Sequence, residues 1–502
     1  MTPAIAARPS YKWWVFSTIA IGTFISVADH GAVNVALPSI ETHFQTTLST
    51  VQWVVVGYAL TISILLLPMG RLGDMISRKR IYVSGMGIFV VASGLAAAAG
   101  SMETLIGAKV LQGVGSAMIQ GTGMAMIISV FPDNERGKAL GEHLSMVSAG
   151  LIAGTAVGGL LVSSFGWRSI FLFNIVFGLI AMASSMAILD SRRLAAETPH
   201  GIRPRFDWLG AVLSGTVMLL FLLVISNGHR AGWTSAPILA GAVGAMTALA
   251  LFIWWELRTD SPMLELRLFK RKLVALGIAA SWIAFLANAA TIFLMSFYLQ
   301  KVLGYSPREA GLIVIPGAVC LAIAGLISGR LSDRLGWRTF NLAGLTISAV
   351  ALFALSRYLT VASPLTLIVP LLMLNSAGGG MFNTPNNNSI LSAVERSRYG
   401  IVSALTQVTR NSANITSIAL ATTIVVATMG SMGFEASLDA VGAEGGAAVA
   451  EAFLVGLKRV YLVFGSVLIV GIVISYLKGD RAKAPADQPV ETVAAEPGGP
   501  LA

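Results

Sequence analysis

The chain has 502 residues, of which 55% are hydrophobic and only 12% charged, with a formal net charge of +10. A water-soluble domain carries about 25% charged residues, so most of this chain does not face water. Its basic residues lie in short segments between apolar runs, which argues against a nucleic-acid surface and makes anionic lipid headgroups their expected neighbours.

About 20 apolar residues cross a hydrocarbon core, and inside lipid a backbone that is not closed into a barrel must be helical. Fourteen runs qualify: 14–36, 51–69, 81–100, 104–128, 140–164, 170–189, 208–227, 238–256, 273–299, 310–329, 340–355, 365–392, 401–429 and 460–477. Lys and Arg concentrate in alternate loops, which places the N-terminus inside, and the even helix number places the C-terminus there too. No cleavable signal is evident, because the first run is a full span. The single cysteine, Cys320, allows no intrachain disulfide. No Walker, HExxH, CxxC or EF-hand spacing occurs, so neither ATP-driven pumping nor a metal-dependent membrane enzyme is expected. No cofactor is expected either.

A short charged turn recurs. Gly70-Arg71-Leu72-Gly73-Asp74-Met75-Ile76-Ser77-Arg78-Lys79 returns as Gly329-Arg330-Leu331-Ser332-Asp333-Arg334-Leu335-Gly336-Trp337-Arg338, 259 residues on from Asp74 to Asp333. Six helices and two additional ones fit that offset. The expected organisation is an N-terminal six-helix bundle (1–192), a two-helix insert with basic flanks (193–265), a C-terminal six-helix bundle (266–478) and a disordered tail (479–502). Parallel halves around a central cavity are a common transporter architecture. The stretch 430–457 reads as the longest external loop.

Deep ionisable residues are costly in a membrane and usually functional. Asp29 lies roughly 22 Å along the first span at helical rise. Burial favours a neutral acid and a nearby cation the charged one, so a carboxyl so placed can exchange a proton. A substrate-binding anion and a structural hydrogen-bonding partner are the alternatives. Adding 259 to Asp29 gives Asn288, polar but non-titrating, which favours one main proton site in the N-terminal half. His30 could modulate it. Lys109, about five residues inside its span, is either a coupling cation for Asp29 or a snorkelling lysine. Arg410 lies deep in its span with Gln407 and Asn414, facing a cavity or serving structure. With Asp29 the only deep acid, the cavity is balanced or net positive, which suits neutral, zwitterionic or anionic amphiphiles better than dications.

These motifs resemble the major facilitator superfamily, and within it the fourteen-helix drug:proton antiporter branch. The charged turn is similar to that family's loop signature through Gly70, Leu72, Asp74, Arg78 and Lys79, with Ser77 in place of the second glycine. The second copy keeps Gly329, Leu331, Asp333, Arg334 and Gly336. The stretch 29–38 resembles the branch's first-helix signature. Leu105, Gln112, Gly113 and Gly115 match its fourth-helix pattern, with Lys109 in place of an arginine. Gly150, Gly154, Gly158 and Gly159 match the fifth-helix antiporter pattern, with Thr155 in place of its proline. Gln52, Trp53 and Tyr58 resemble its second-helix Q-W-x-x-x-x-Y.

The resemblance implies proton-coupled efflux of hydrophobic or amphiphilic compounds (drugs, antiseptics, dyes) by a monomer in the bacterial inner membrane. The partners are then the substrate, protons and lipids, with no nucleic acid. Asp29, His30 and Lys109 would couple protons, and Gly70, Asp74, Arg78, Asp333 and Arg334 would form the gating loops. In that reading Asp74 latches onto the span beginning near Gly400, with Asp133 or Glu135 completing a charge cluster; the plain alternative is an ordinary positive-inside loop. The glycines of the fifth helix would seal or hinge the two halves, or simply pack a neighbour. Trp53, Tyr58, Gln112, Asn288, Asn386, Arg410 and Asn414 would line the cavity. An exporter of a lipid or endogenous metabolite, or a non-transporting sensor on the same scaffold, remains open.

Overall fold

The computed structural model describes residues 10–46, 48–194, 206–259, 262–394, 399–434 and 446–479. Its long helices number fourteen: α1 (Tyr11–Phe44), α2 (Leu48–Met75), α3 (Arg78–Ala97), α4 (Met102–Val130), α5 (Asp133–Phe165), α6 (Arg168–Ile188), α7 (Trp208–Ala231), α8 (Ala236–Glu256), α9 (Lys272–Phe297), α10 (Pro307–Leu335), α11 (Trp337–Tyr358), α12 (Leu365–Leu391), α13 (Tyr399–Ser431) and α14 (Gly446–Lys478). Thirteen carry a window long and apolar enough to span a bilayer. In the fourteenth, α5, the described apolar stretch is Ala153–Phe165. Large apolar side chains point outward along the spans, Val243 at 65% and Met246 at 67% exposure among them. Such faces are stable only against lipid.

Helices run past the apolar runs. α1 continues beyond Pro38 to Phe44. α14 starts at Gly446, fourteen residues before 460, so part of the expected external loop is helical; its Ala-rich start favours helix, Ser356 Oγ donates to the Lys458 carbonyl, and Arg459 Nη1 donates to Thr428 Oγ1. The charged turn is shorter than expected: α2 carries Gly70 through Met75, and α3 resumes at Arg78. Ser77 caps α3 by accepting from the Arg80 N–H, at an extended φ of 177° open to any residue. Its counterpart Gly336 sits at φ +85° between α10 and α11, the left-handed region that favours glycine. That explains why one copy tolerates serine and the other keeps glycine.

The two bundles repeat one packing scheme. Gly85 on α3 meets Gly115 on α4 so closely that a Cβ on Gly115 would lie 2.6 Å from the Gly85 carbonyl oxygen. Gly344 on α11 and Gly378 on α12 do the same, at 2.5 Å. Between the halves, α5 lies on α10, and α2 and α4 lie on α13. The helix pair α7–α8 packs against α2 and α13, with Met218 on the Tyr58, Ile62, Leu66 and Val408 cluster. The insert therefore covers one of the two seams between halves and leaves the α5–α10 seam open.

Candidate functional site

The polar centre of the N-terminal bundle is built on four helices. Asp29 on α1 and Lys109 on α4 form an ion pair, Oδ2 to Nζ 2.6 Å, with side chains 0% and 1% exposed. Lys109 also donates to Gln112 Oε1 at 2.6 Å. The other carboxylate oxygen, Oδ1, accepts from Asn174 Nδ2 of α6 at 2.6 Å and from Gln112 Nε2 at 3.3 Å. Gln112 reaches on to Ser93 Oγ of α3 at 3.0 Å. The ammonium lies over the rings of Tyr58 and Phe171, 4.2 and 5.7 Å from their centroids. Every oxygen of the acid is thus engaged, which is what allows a buried charge pair to persist. Asn174, Ser93 and Phe171 were missed from sequence. Asn174, alone among apolar residues in the middle of α6, carried the signal that could have found it.

From the Tyr58 ring that faces the Lys109 ammonium, a line of hydrogen bonds leads to the other half. Tyr58 donates its hydroxyl to the Ser26 carbonyl at 2.8 Å and lies 2.7 Å from Ser116 Oγ. Gln120 Nε2 donates to Ser26 Oγ at 3.2 Å, and Gln407 Nε2 of α13 donates to Gln120 Oε1 at 3.3 Å. His30, one turn beyond Ser26, stacks on Tyr58 with ring centroids 6.0 Å apart.

The repeat's counterpart in the C-terminal bundle is neutral. Asn288, Asn375, Asn383 and Ser348 line a narrow recess. Asn386 lies elsewhere, donating to the Gly277 carbonyl and Ser281 Oγ and accepting from Lys478; this ties α9, α12 and α14 together inside the bundle. Asn414 and Trp53 are half-buried on α13 and α2.

At the charged turn Arg78 Nε donates to Asp74 Oδ1 at 2.7 Å, and its Nη1 to the Ala125 carbonyl at 3.3 Å. Asp74 shares a recess with Gly70, Arg71, Ile401 and Ala404, which brings it to the start of α13. Glu135 pairs with Lys12 at 2.5 Å. The side chains of Asp133, Asp333, Arg334 and Gln52 lie outside the described residues. Removing the guanidinium by Arg78→Gln is expected to loosen this face. Labelling of Ala404→Cys in a Cys320→Ala background should then accelerate by about ten-fold, the equivalent of ~1.4 kcal/mol, and an unchanged rate would mean that the pair does not hold the face closed.

The fifth-helix glycines face α1 of their own half. A Cβ at Gly150, Gly154 or Gly158 would meet the backbone of Phe24, Ala28 or Ala32 at 3.0, 2.0 or 2.5 Å, whereas Gly159 has only Val35 Cγ1 at 3.8 Å. The contact with α10 falls instead to Thr155, whose Cγ2 would lie 3.9 Å from a Cβ on Gly311.

Comparison with known proteins gives the family. The family model of the Major Facilitator Superfamily matches residues 19–418. The multidrug efflux pump LfrA of Mycolicibacterium smegmatis is 32% identical over 410 residues, 81% of this chain and 79% of that one. The multidrug resistance protein Stp of Mycobacterium tuberculosis is 31% identical over 413 residues, 82% and 74% of the two chains. The riboflavin transporter RibZ of Clostridioides difficile is 30% identical over 403 residues, 80% and 85% of the two. A double-tryptophan mutant of XylE shares the fold with a TM-score of 0.63 at 14% identity, over 95% of this chain and 97% of that one. The chain is a multi-pass bacterial inner-membrane transporter that belongs to the Major Facilitator Superfamily.

Proposed function

We propose that this protein exports hydrophobic or amphiphilic compounds by alternating access, in exchange for protons taken up at Asp29, with both termini in the cytoplasm. The observation that carries the reading is the Asp29–Lys109 pair, sealed from solvent with every carboxylate oxygen occupied. Protonating Asp29 in this geometry would strand the Lys109 ammonium without an anion, and a buried unpaired charge is strongly unfavourable. The two protonation states thus prefer different conformations, which is the differential interaction that a shift in the inward–outward balance requires. The line through Tyr58, Ser26, Gln120 and Gln407 offers a route by which the α4–α13 contact feels that change.

Relatives named for multidrug efflux support drug-like cargo, and the relative named for riboflavin supports a metabolite as the second reading. The test is flux through proteoliposomes under an imposed pH gradient with three dyes: cationic ethidium, neutral phenylnaphthylamine and anionic anilinonaphthalene sulfonate. Gradient-dependent movement of at least one dye, abolished by a protonophore, is expected. Movement of none would overturn export of such compounds. The connection between halves is checked separately: Gln407→Leu removes the only donor described between α13 and Gln120. It should slow gradient-driven flux several-fold, by about 1 kcal/mol for one hydrogen bond, while the Asp29–Lys109 pair stays intact.

A further inference from the structure

Arg410 is the charge left over. It projects from α13 one turn beyond Gln407, whose side chain bonds Gln120 of the opposite half, and next to Val408, which packs on Tyr58, Ile62 and Leu66 of α2. Arg410 therefore sits at the seam between the halves. Among the described residues it joins neither the ion pairs nor the side-chain hydrogen bonds, since the pairs formed are Lys12–Glu135, Arg78–Asp74 and Lys109–Asp29. Asp29, the deep acid of the N-terminal bundle, has both oxygens already taken.

The groups around Arg410 add to its character. Its charge acts on His30 of α1 and on His143 of α5. His143 is 4% exposed, and its Nδ1 has no hydrogen-bond partner. Lys109 and Asp29 act on His30 as well, in opposite senses. An unpaired guanidinium at the seam thus has two imidazoles of the N-terminal half within reach of its charge. Such a guanidinium presents a planar fork of N–H donors that fits an oxyanion with two parallel hydrogen bonds.

We propose that the exported compound carries an anionic group, a carboxylate, sulfonate or phosphate, that Arg410 receives at this seam. The inference rests on the export reading above and narrows it to amphiphilic anions. It also has an electrical consequence. If one proton enters for each monoanion that leaves, two positive charges move inward, so an inside-negative potential drives export together with the pH gradient. A cation leaving for one proton would move no net charge.

The test uses a matched pair of dyes, since anilinonaphthalene sulfonate is phenylnaphthylamine with a sulfonate added. In proteoliposomes the wild type should carry the sulfonate in preference to the neutral dye, and an inside-negative potassium diffusion potential should accelerate the sulfonate. Arg410→Gln should lower the sulfonate-to-neutral flux ratio by about ten-fold, the usual weight of a charge-assisted hydrogen bond, and Arg410→Lys should recover part of it. Taking a ratio within one preparation removes differences in folding and yield between variants. An unchanged ratio in Arg410→Gln would overturn the inference, as would a wild type that pumps ethidium and ignores the sulfonate. Failure of all three dyes would overturn the export reading and this inference with it.

Discussion

Replacing Lys109 by Met is expected to destabilise the protein by about 3–5 kcal/mol, the usual cost of removing one partner from a buried ion pair. Asp29 would be left 1% exposed, with Asn174 and Gln112 as donors but no cation. Asp29→Asn should be similarly damaging, because Lys109 then keeps only Gln112 Oε1 and the Tyr58 and Phe171 rings. The double variant Asp29→Asn/Lys109→Met removes both charges at nearly constant volume and should regain all but ~1 kcal/mol. Tryptophan-detected thermal unfolding in detergent reads all four proteins. Additive losses in the double variant would show that the two residues do not act as a pair.

The second large effect lies in the fifth-helix glycines. Gly154→Val should yield no monodisperse protein, because the new Cβ alone would lie 2.0 Å from the Ala28 carbonyl oxygen and a backbone atom cannot step aside. Overpacking of this kind costs about 3 kcal/mol or more. Gly159→Ala, five residues along the same helix, meets only Val35 Cγ1 at 3.8 Å and should gain roughly 0.5 kcal/mol from the better helix former. Size-exclusion profiles of the two variants check both statements. Equal behaviour would mean that α1 and α5 do not pack as described.

The fold was largely legible in the sequence, since a bilayer imposes one solution on a long apolar run. All fourteen expected spans correspond to helices, including α5. What misled was taking charge as the mark of a loop. The turn at Gly70–Arg80 is mostly helix, and Lys458 and Arg459 lie within α14, because charged groups at the ends of spans can bond to neighbouring helices without breaking their own. Asp29 and Lys109 stood out by their depth alone. Their partners did not, because Ser93 and Asn174 become a site only when α3 and α6 are placed against α1 and α4. The glycine run announced close packing, but a one-dimensional pattern does not say which helix it faces. Asn386 shows the same limit: its depth drew attention, and its contacts tie it to Lys478 within one bundle.

Proton exchange at Asp29 is the central claim, and the most direct measurement compares two modes of flux in proteoliposomes of the stability-restored double variant Asp29→Asn/Lys109→Met, using whichever of the three dyes the wild type carries. Gradient-driven flux needs the proton, whereas exchange of labelled for unlabelled dye needs only a folded, cycling transporter. The account predicts that the variant loses gradient-driven flux to the protein-free baseline and retains exchange. A variant whose flux still follows the pH gradient would contradict it.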